Sequence, residues 1–161
     1  MSYSAALELM LGDSPDGGPR HTALPSGVPQ RIERANVTLN HGLLVGELLG
    51  VPIDKVQRIL GDVDERAGTD PYFHADELQT LRVVYSVILR ALGLAIQEDG
   101  KPAPNAAGER LTESDLIITN DDGSLMTAHR RISLRLLRED LQTLEEFLSF
   151  AIHCRIRVRM E

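Results

Sequence analysis

Cysteine is nearly missing. Cys154 is the only one in 161 residues, so no disulfide can close within the chain and no cysteine-built zinc site is available. A buried, inert thiol is the expected state for it. Tryptophan is absent and aromatics make up 4% of the residues, so a core has to be assembled from Leu, Ile, Val and Ala. That composition favours helices packed by leucine ridges over a sandwich or a barrel. No run reaches the roughly eighteen apolar residues of a membrane span, and no charged leader precedes an apolar stretch at the N-terminus. The expectation is a cytoplasmic chain with no membrane partner.

The signatures of catalysis are also missing. Neither G-x-x-x-x-G-K-[ST] nor G-x-G-x-x-G occurs, so no phosphate cradle is marked. His21, His41, His74, His129 and His153 are scattered. His74, with Asp76 and Glu77, is the nearest thing to a ligand cluster, but at the start of a helix it reads as a cap. Asp62 and Asp64 are spaced like the first ligands of a calcium loop, yet Arg66 takes the next alternate position and no glutamate closes the site. Glu145 and Glu146 are adjacent and face different sides of a helix, unlike the turn-spaced glutamates that hold magnesium. The expectation is therefore a non-enzyme with no catalytic residue, cofactor or metal.

Positive charge is short as well. The formal net charge is −7, which gives no overall attraction to nucleic acid or an anionic surface. The distribution is uneven. Residues 129–161 carry seven Arg against five acids, a net of +2 that leaves −9 on the rest. A polyanion should thus meet the C-terminal third or a local patch.

What the chain does hold is 42% hydrophobic residues, enough for one helical domain over residues 30–161. Ahead of it lies an N-terminal stretch, residues 1–29. Tyr3, Leu7, Met10 and Leu11 fit one helical face, an amphipathic segment too short to stand alone. The proline- and glycine-rich residues that follow read as an arm able to reach a protein partner, or simply as a folded-back end. A support helix is expected from Pro29 to about Thr38, and an acidic loop after Gly61.

Two helices carry the strongest pattern. In residues 75–95, Leu78, Leu81, Tyr85, Ile88, Leu92 and Ala95 recur in alternating steps of three and four, with Asp76 and Glu77 in the first turn. In residues 133–152, Leu134, Leu137, Leu141, Leu144, Leu148 and Ala151 do the same. The two cores echo each other, ELQTL against DLQTL, as a duplicated helix or as shared packing demands. Phe147 and Phe150 lie off the second seam and suggest apolar surface for a third element or another subunit, hence a homodimer or higher oligomer. Residues 96–110 read as a loop. Residues 115–126 suggest a hairpin turning at Asp122-Gly123. At the end, Arg155, Arg157 and Arg159 alternate with Ile156, Val158 and Met160. Over residues 155–160 this predicts a strand with a guanidinium face, either an edge kept soluble by charge or a rail for an anion or partner.

One stretch suggests a task. In LLVGELLGVPIDKVQRIL, residues 43–60, Gly50 suits a turn that needs positive φ, while Val45, Leu49, Val51, Val56 and Ile59 point inward. Gly46 would let the two helices cross closely. This pattern resembles the helix-turn-helix of bacterial and phage DNA-binding regulators: a small residue, a turn glycine four later and a buried valine six after that. The resemblance covers residues 43–60 only, within a helix-turn-helix-like unit at 30–61. It implies that the second helix, from near Pro52 to about Gly61, reads double-stranded DNA with Asp54, Lys55, Gln57 and Arg58 facing out. Arg58 would suit a guanine edge, Gln57 an adenine edge and Lys55 a phosphate. Pro52 stands where a capping Ser or Thr is common. Asp54, Asp62, Asp64 and Glu65 would repel phosphates. The plainer alternative is a helical hairpin turning at a glycine inside the core.

The expected whole is a mainly α helical bundle with a helix-turn-helix-like unit, two leucine helices, a small hairpin and a C-terminal strand. Its expected function is a DNA-binding regulator that dimerises through the leucine helices at 75–95 and 133–152, its two readers about one turn of DNA apart. The alternative is a non-enzymatic assembly or adaptor subunit that binds neighbours through its N-terminal arm and C-terminal strand.

Overall fold

The computed structural model describes residues 5–11, 24–104, 107–108, 124–126 and 131–161. Within them the chain is mainly helical. Four helices carry the fold: α1 (Ala35–Leu48), α2 (Asp54–Arg66), α3 (Ala75–Ala95) and α4 (Leu134–His153). Around them run short strands: β1 (Leu7–Leu9), β2 (Arg31–Ile32), β3 (Ser124–Met126), β4 (Arg131–Ser133) and β5 (Val158–Met160).

The two leucine helices form where their periodicity places them, and they pack chiefly on each other. Every seam residue from Leu78 to Ala95 and from Leu134 to Ala151 is buried. Both helices start on a local device. Ser133 Oγ accepts from Leu136 N–H at 3.3 Å, and the Glu77 carboxylate reaches back to accept from His74 N–H at 2.8 Å, so backbone donors left open at each start are satisfied. Phe147 is fully buried in this same core and Phe150 packs partly against it. Of the two uses expected for that surface, a third element or another subunit, the fold supplies the third element: α1 packs against both α3 and α4.

Two glycines set how α1 sits. A Cβ on Gly46 would lie 2.7 Å from Cδ1 and Cγ1 of Ile88, and one on Gly42 would lie 2.9 Å from Cε1 of Tyr85. The close crossing is therefore between α1 and α3, not between the two helices that flank Gly50. At the same contact Tyr85 donates its hydroxyl to the Leu39 carbonyl at 2.7 Å. Burial pushes that hydroxyl's pKa well up, which keeps it a neutral donor. α3 is also long and apolar enough to cross a membrane, by length and composition. No single stretch announces this in the sequence, because charged residues interrupt it.

The N-terminal segment is a strand rather than a helix. Leu7 and Leu9 are fully buried while Glu8 points outward, and β1 lies between β2 and β5 with both pairings antiparallel. Two partners distant in the chain outweigh a helical pattern only nine residues long (3–11). The support helix expected at 29–38 is not there either: β2 and a turn occupy its first part, and α1 begins at Ala35. Asn36 pins that start to the strand, its Oδ1 accepting from Ala5 N–H at 3.0 Å.

The acidic stretch after Gly61 is helix, not loop, as far as Arg66. Val63 explains it, being fully buried two turns beyond the fully buried Val56. Packing on that side offsets the roughly 1 kcal/mol that a helix-interior glycine costs. A small hairpin is present, while the turn expected for it within residues 115–126 falls on undescribed residues. β3 pairs forward with β4, with Leu125 opposite Ile132, whereas residues 115–123, including Asp122-Gly123, lie outside the described residues, as do residues 12–23 of the arm. Leu24 and Val28, from the arm's end, pack partly against the core.

Candidate nucleic-acid interface

The break between α1 and α2 is built by the backbone. Gly50 has φ of 81°. Gly50 N–H donates to the Glu47 carbonyl at 3.0 Å and Val51 N–H to the Gly46 carbonyl at 2.8 Å. These paired bonds close a helix C-terminus through a left-handed residue. No atom lies within 4 Å of where a Gly50 Cβ would stand, so it is φ and not space that calls for glycine. Val51 and Ile53 then bury themselves, Pro52 stays exposed, and α2 begins at Asp54 with no side-chain cap on Ile53. Asp54 in the first turn supplies favourable charge instead.

α2 is anchored below and open above. Val56 and Val63 are buried and Ile59 and Leu60 partly so, and the helix packs on α3. Its far end is tied down by charge. Arg66 donates to Glu77 Oε2 at 3.0 Å, again to Glu77 Oε1, and to the Tyr72 carbonyl at 2.9 Å. Burial works against the Glu77 anion, but the Arg66 guanidinium and His74 N–H outweigh it and hold the carboxyl below its ordinary value. His74 bonds to Asp70 at 3.0 Å and lowers that carboxyl too. The cluster of His74, Asp76 and Glu77 therefore works as a helix start, with Glu77 as the joint between two helices.

On the open side Asp54, Lys55, Gln57 and Arg58 are all exposed. Among the described residues none of these side chains has a hydrogen-bond or ion-pair partner. The side chains singled out from the sequence thus stand together on one turn and a half of a rigid helix. The acids Asp62, Asp64 and Glu65 are exposed as well, toward the C-terminal end of α2.

The three C-terminal arginines are not brought together in the same way. Arg155 lies outside the strand, exposed, in a left-handed turn with φ of 54° after α4. Arg157 stacks over the Tyr72 ring, its guanidinium carbon 3.7 Å from the centroid. Arg159 pairs across the sheet with Glu8 at 3.9 Å and with Glu161. β5 is the outer strand of its sheet, with β1 on one side, but its other side is covered: Phe73 N–H and Met160 N–H bond across to the Val158 and Pro71 carbonyls at 3.0 and 2.9 Å.

Two features escaped the sequence reading. A cleft of about 550 Å³ lies between the starts of α1 and α4, with Thr38, His41, Asp140 and Thr143 in its lining. Desolvation, with Glu139 adding to it, raises the Asp140 carboxyl above its ordinary value. No short motif marks that cleft, because its walls come from residues a hundred positions apart. The other feature is an exposed apolar row on α3, where Val83, Val87 and Leu94 reach solvent. It follows a second set of steps of three and four, two residues out of phase with the buried seam, and that offset was visible in the sequence.

No protein-family model, no curated protein and no solved structure matches this chain.

Proposed function

We propose that this chain is a DNA-binding regulator of the helix-turn-helix kind, with α2 as the helix that enters the major groove. The observation that carries this reading is the free outward face of α2: Lys55, Gln57 and Arg58 project from a helix whose opposite side is locked to α3. Recognition helices meet base edges with their N-terminal residues, and those are the ones concerned here. Arg58 has the fork for a guanine edge, Gln57 the amide for an adenine edge and Lys55 the charge for a phosphate. The acids at 62–65 sit toward the other end, where the helix leaves the groove. A cytoplasmic location and no catalytic role go with this reading.

Selection of duplexes from a random pool, followed by anisotropy titration across a salt series, tests it. A site-specific complex should weaken steeply with salt, and Lys55→Ala should flatten that slope by about one phosphate's worth.

A second reading, a non-enzymatic assembly subunit, is favoured by the overall acidity and by the exposed row on α3. It draws less from the chain ends, because β1 and β5 pair with each other inside the sheet. A chain that shows no duplex binding yet co-purifies stoichiometrically with a protein neighbour would favour it.

A further inference from the structure

The apolarity of α3 exceeds what the fold uses. α1, α2 and α4 all pack against it, yet apolar side chains remain in solvent. The exposed remainder is ordered: Val83 is 52% exposed, Val87 47% and Leu94 78%. With Asp76, Thr80 and Arg90 they fall in steps of four and three along the helix, which is the spacing of a seam meant to meet another helix. The α3 and α4 seams expected from the sequence to dimerise are consumed against each other, so this row is separate surface.

We propose that the outer row of α3 is a homodimer interface, in which α3 packs antiparallel against α3 of a second copy. Charge complementarity selects both the occupant and the orientation. The row carries an acid at its N-terminal end, Asp76, and a base toward its C-terminal end, Arg90, and among the described residues neither side chain has an ion-pair partner. Antiparallel pairing about a two-fold axis near Val83 and Val87 brings the acidic end of each copy beside the basic region of the other, twice over, and sets the valines together at the centre. Parallel pairing would oppose acid to acid and base to base. Opposed helix dipoles favour the same orientation. Thr80, small and facing the same way, lets the two axes approach.

The interface is modest in extent. A helix of 21 residues spans about 30 Å, and one helix face falls short of the roughly 800 Å² per partner of a standard stable complex. The dimer should therefore be weak and concentration-dependent. It does not depend on α2 binding DNA.

Sedimentation velocity of the full chain over a series from about 1 to 300 µM, which covers weak micromolar association, is the test. The expected result is a monomer–dimer equilibrium that Val83→Glu moves at least about tenfold toward monomer, with unchanged helical circular dichroism. Arg90→Asp alone should also dissociate it, by placing acids together, and the exchange Asp76→Arg with Arg90→Asp should restore it. That rescue distinguishes an interface from a folding defect. A monomer throughout, or a dimer indifferent to both Val83→Glu and Arg90→Asp, overturns the proposal. So does flotation of a monomeric chain with phospholipid vesicles, which would assign the row to a lipid surface.

Discussion

Adding one methyl group at Gly46 probes the joint on which the placement of α1 rests. The new Cβ would stand 2.7 Å from two carbons of Ile88, and Ile88 is fully buried. Cγ1 is one of the two, and it is bonded to the branched Cβ, so moving it means turning the whole side chain and not only a flexible tip. Ile88 cannot swing clear of it without meeting the packed core. Against this, alanine in a helix is better than glycine by about 1 kcal/mol. Overpacking a filled core costs about 1–3 kcal/mol, and the position of Cγ1 puts this case toward the upper end. The net expectation for Gly46→Ala is a loss of about 1–2 kcal/mol. Ile88→Ala alone should cost about 2–5 kcal/mol through the cavity it leaves. In the double variant the methyl enters part of that cavity, so the two losses should fall short of additivity by about 1 kcal/mol or more. Urea unfolding reads this directly as midpoint shifts at constant slope. Stabilisation by Gly46→Ala, or a strictly additive cycle, would refute the contact.

Other expectations concern the two ends of α2. Glu77→Gln keeps the shape of the carboxylate but removes the charge that Arg66 needs. Arg66 retains 21% side-chain exposure and so some water, which reduces the loss to about 1–2 kcal/mol from the larger figure for a fully buried pair. The Glu77 carboxyl is depressed in the fold, so its contribution is complete above its ordinary value of 4.5 and is lost as pH falls below it. Melting temperature followed from pH 7 down through that value should drop more in the wild type than in Glu77→Gln. Gly50→Ala should lose about 1 kcal/mol purely from its left-handed backbone, and Gly50→Asn less, both measured by thermal melting. Equal stability of all three would mean that the turn does not need positive φ.

Much of this molecule is legible in the sequence where a pattern is long or locally complete. The buried seams of α3 and α4 repeat over five turns, and the Gly50 turn carries its own signal within a few residues. The strands are illegible for the opposite reason. β1 is three residues long, and what makes it a strand is β5 at the other end of the chain. Leu7 fits a helix face with Tyr3, Met10 and Leu11 and equally a sheet face with Leu9, and the choice between them waits on that partner. α2 outran its expected end because a buried Val63 outweighs a glycine whose only statement is local. Phe147 looked spare since a single seam was counted on α4, whereas α1 supplies a second wall. The site divides in the same way. Asp54, Lys55, Gln57 and Arg58 share one short helical stretch and could be grouped by spacing. Arg155, Arg157 and Arg159 alternate in sequence, but the turn after α4, the Tyr72 ring and Glu8 and Glu161 each claim one of them.

The most direct test of the α2 reader is the ratio of affinities for a selected duplex and a scrambled one, measured by anisotropy for the wild type and for Arg58→Ala at equal salt. The account predicts that the wild type prefers the selected duplex by about a thousandfold or more. Arg58→Ala should give up about 1–3 kcal/mol of that preference at one base position. An Arg58→Ala ratio equal to the wild type's, or no binding of either duplex below about 100 µM, would contradict it.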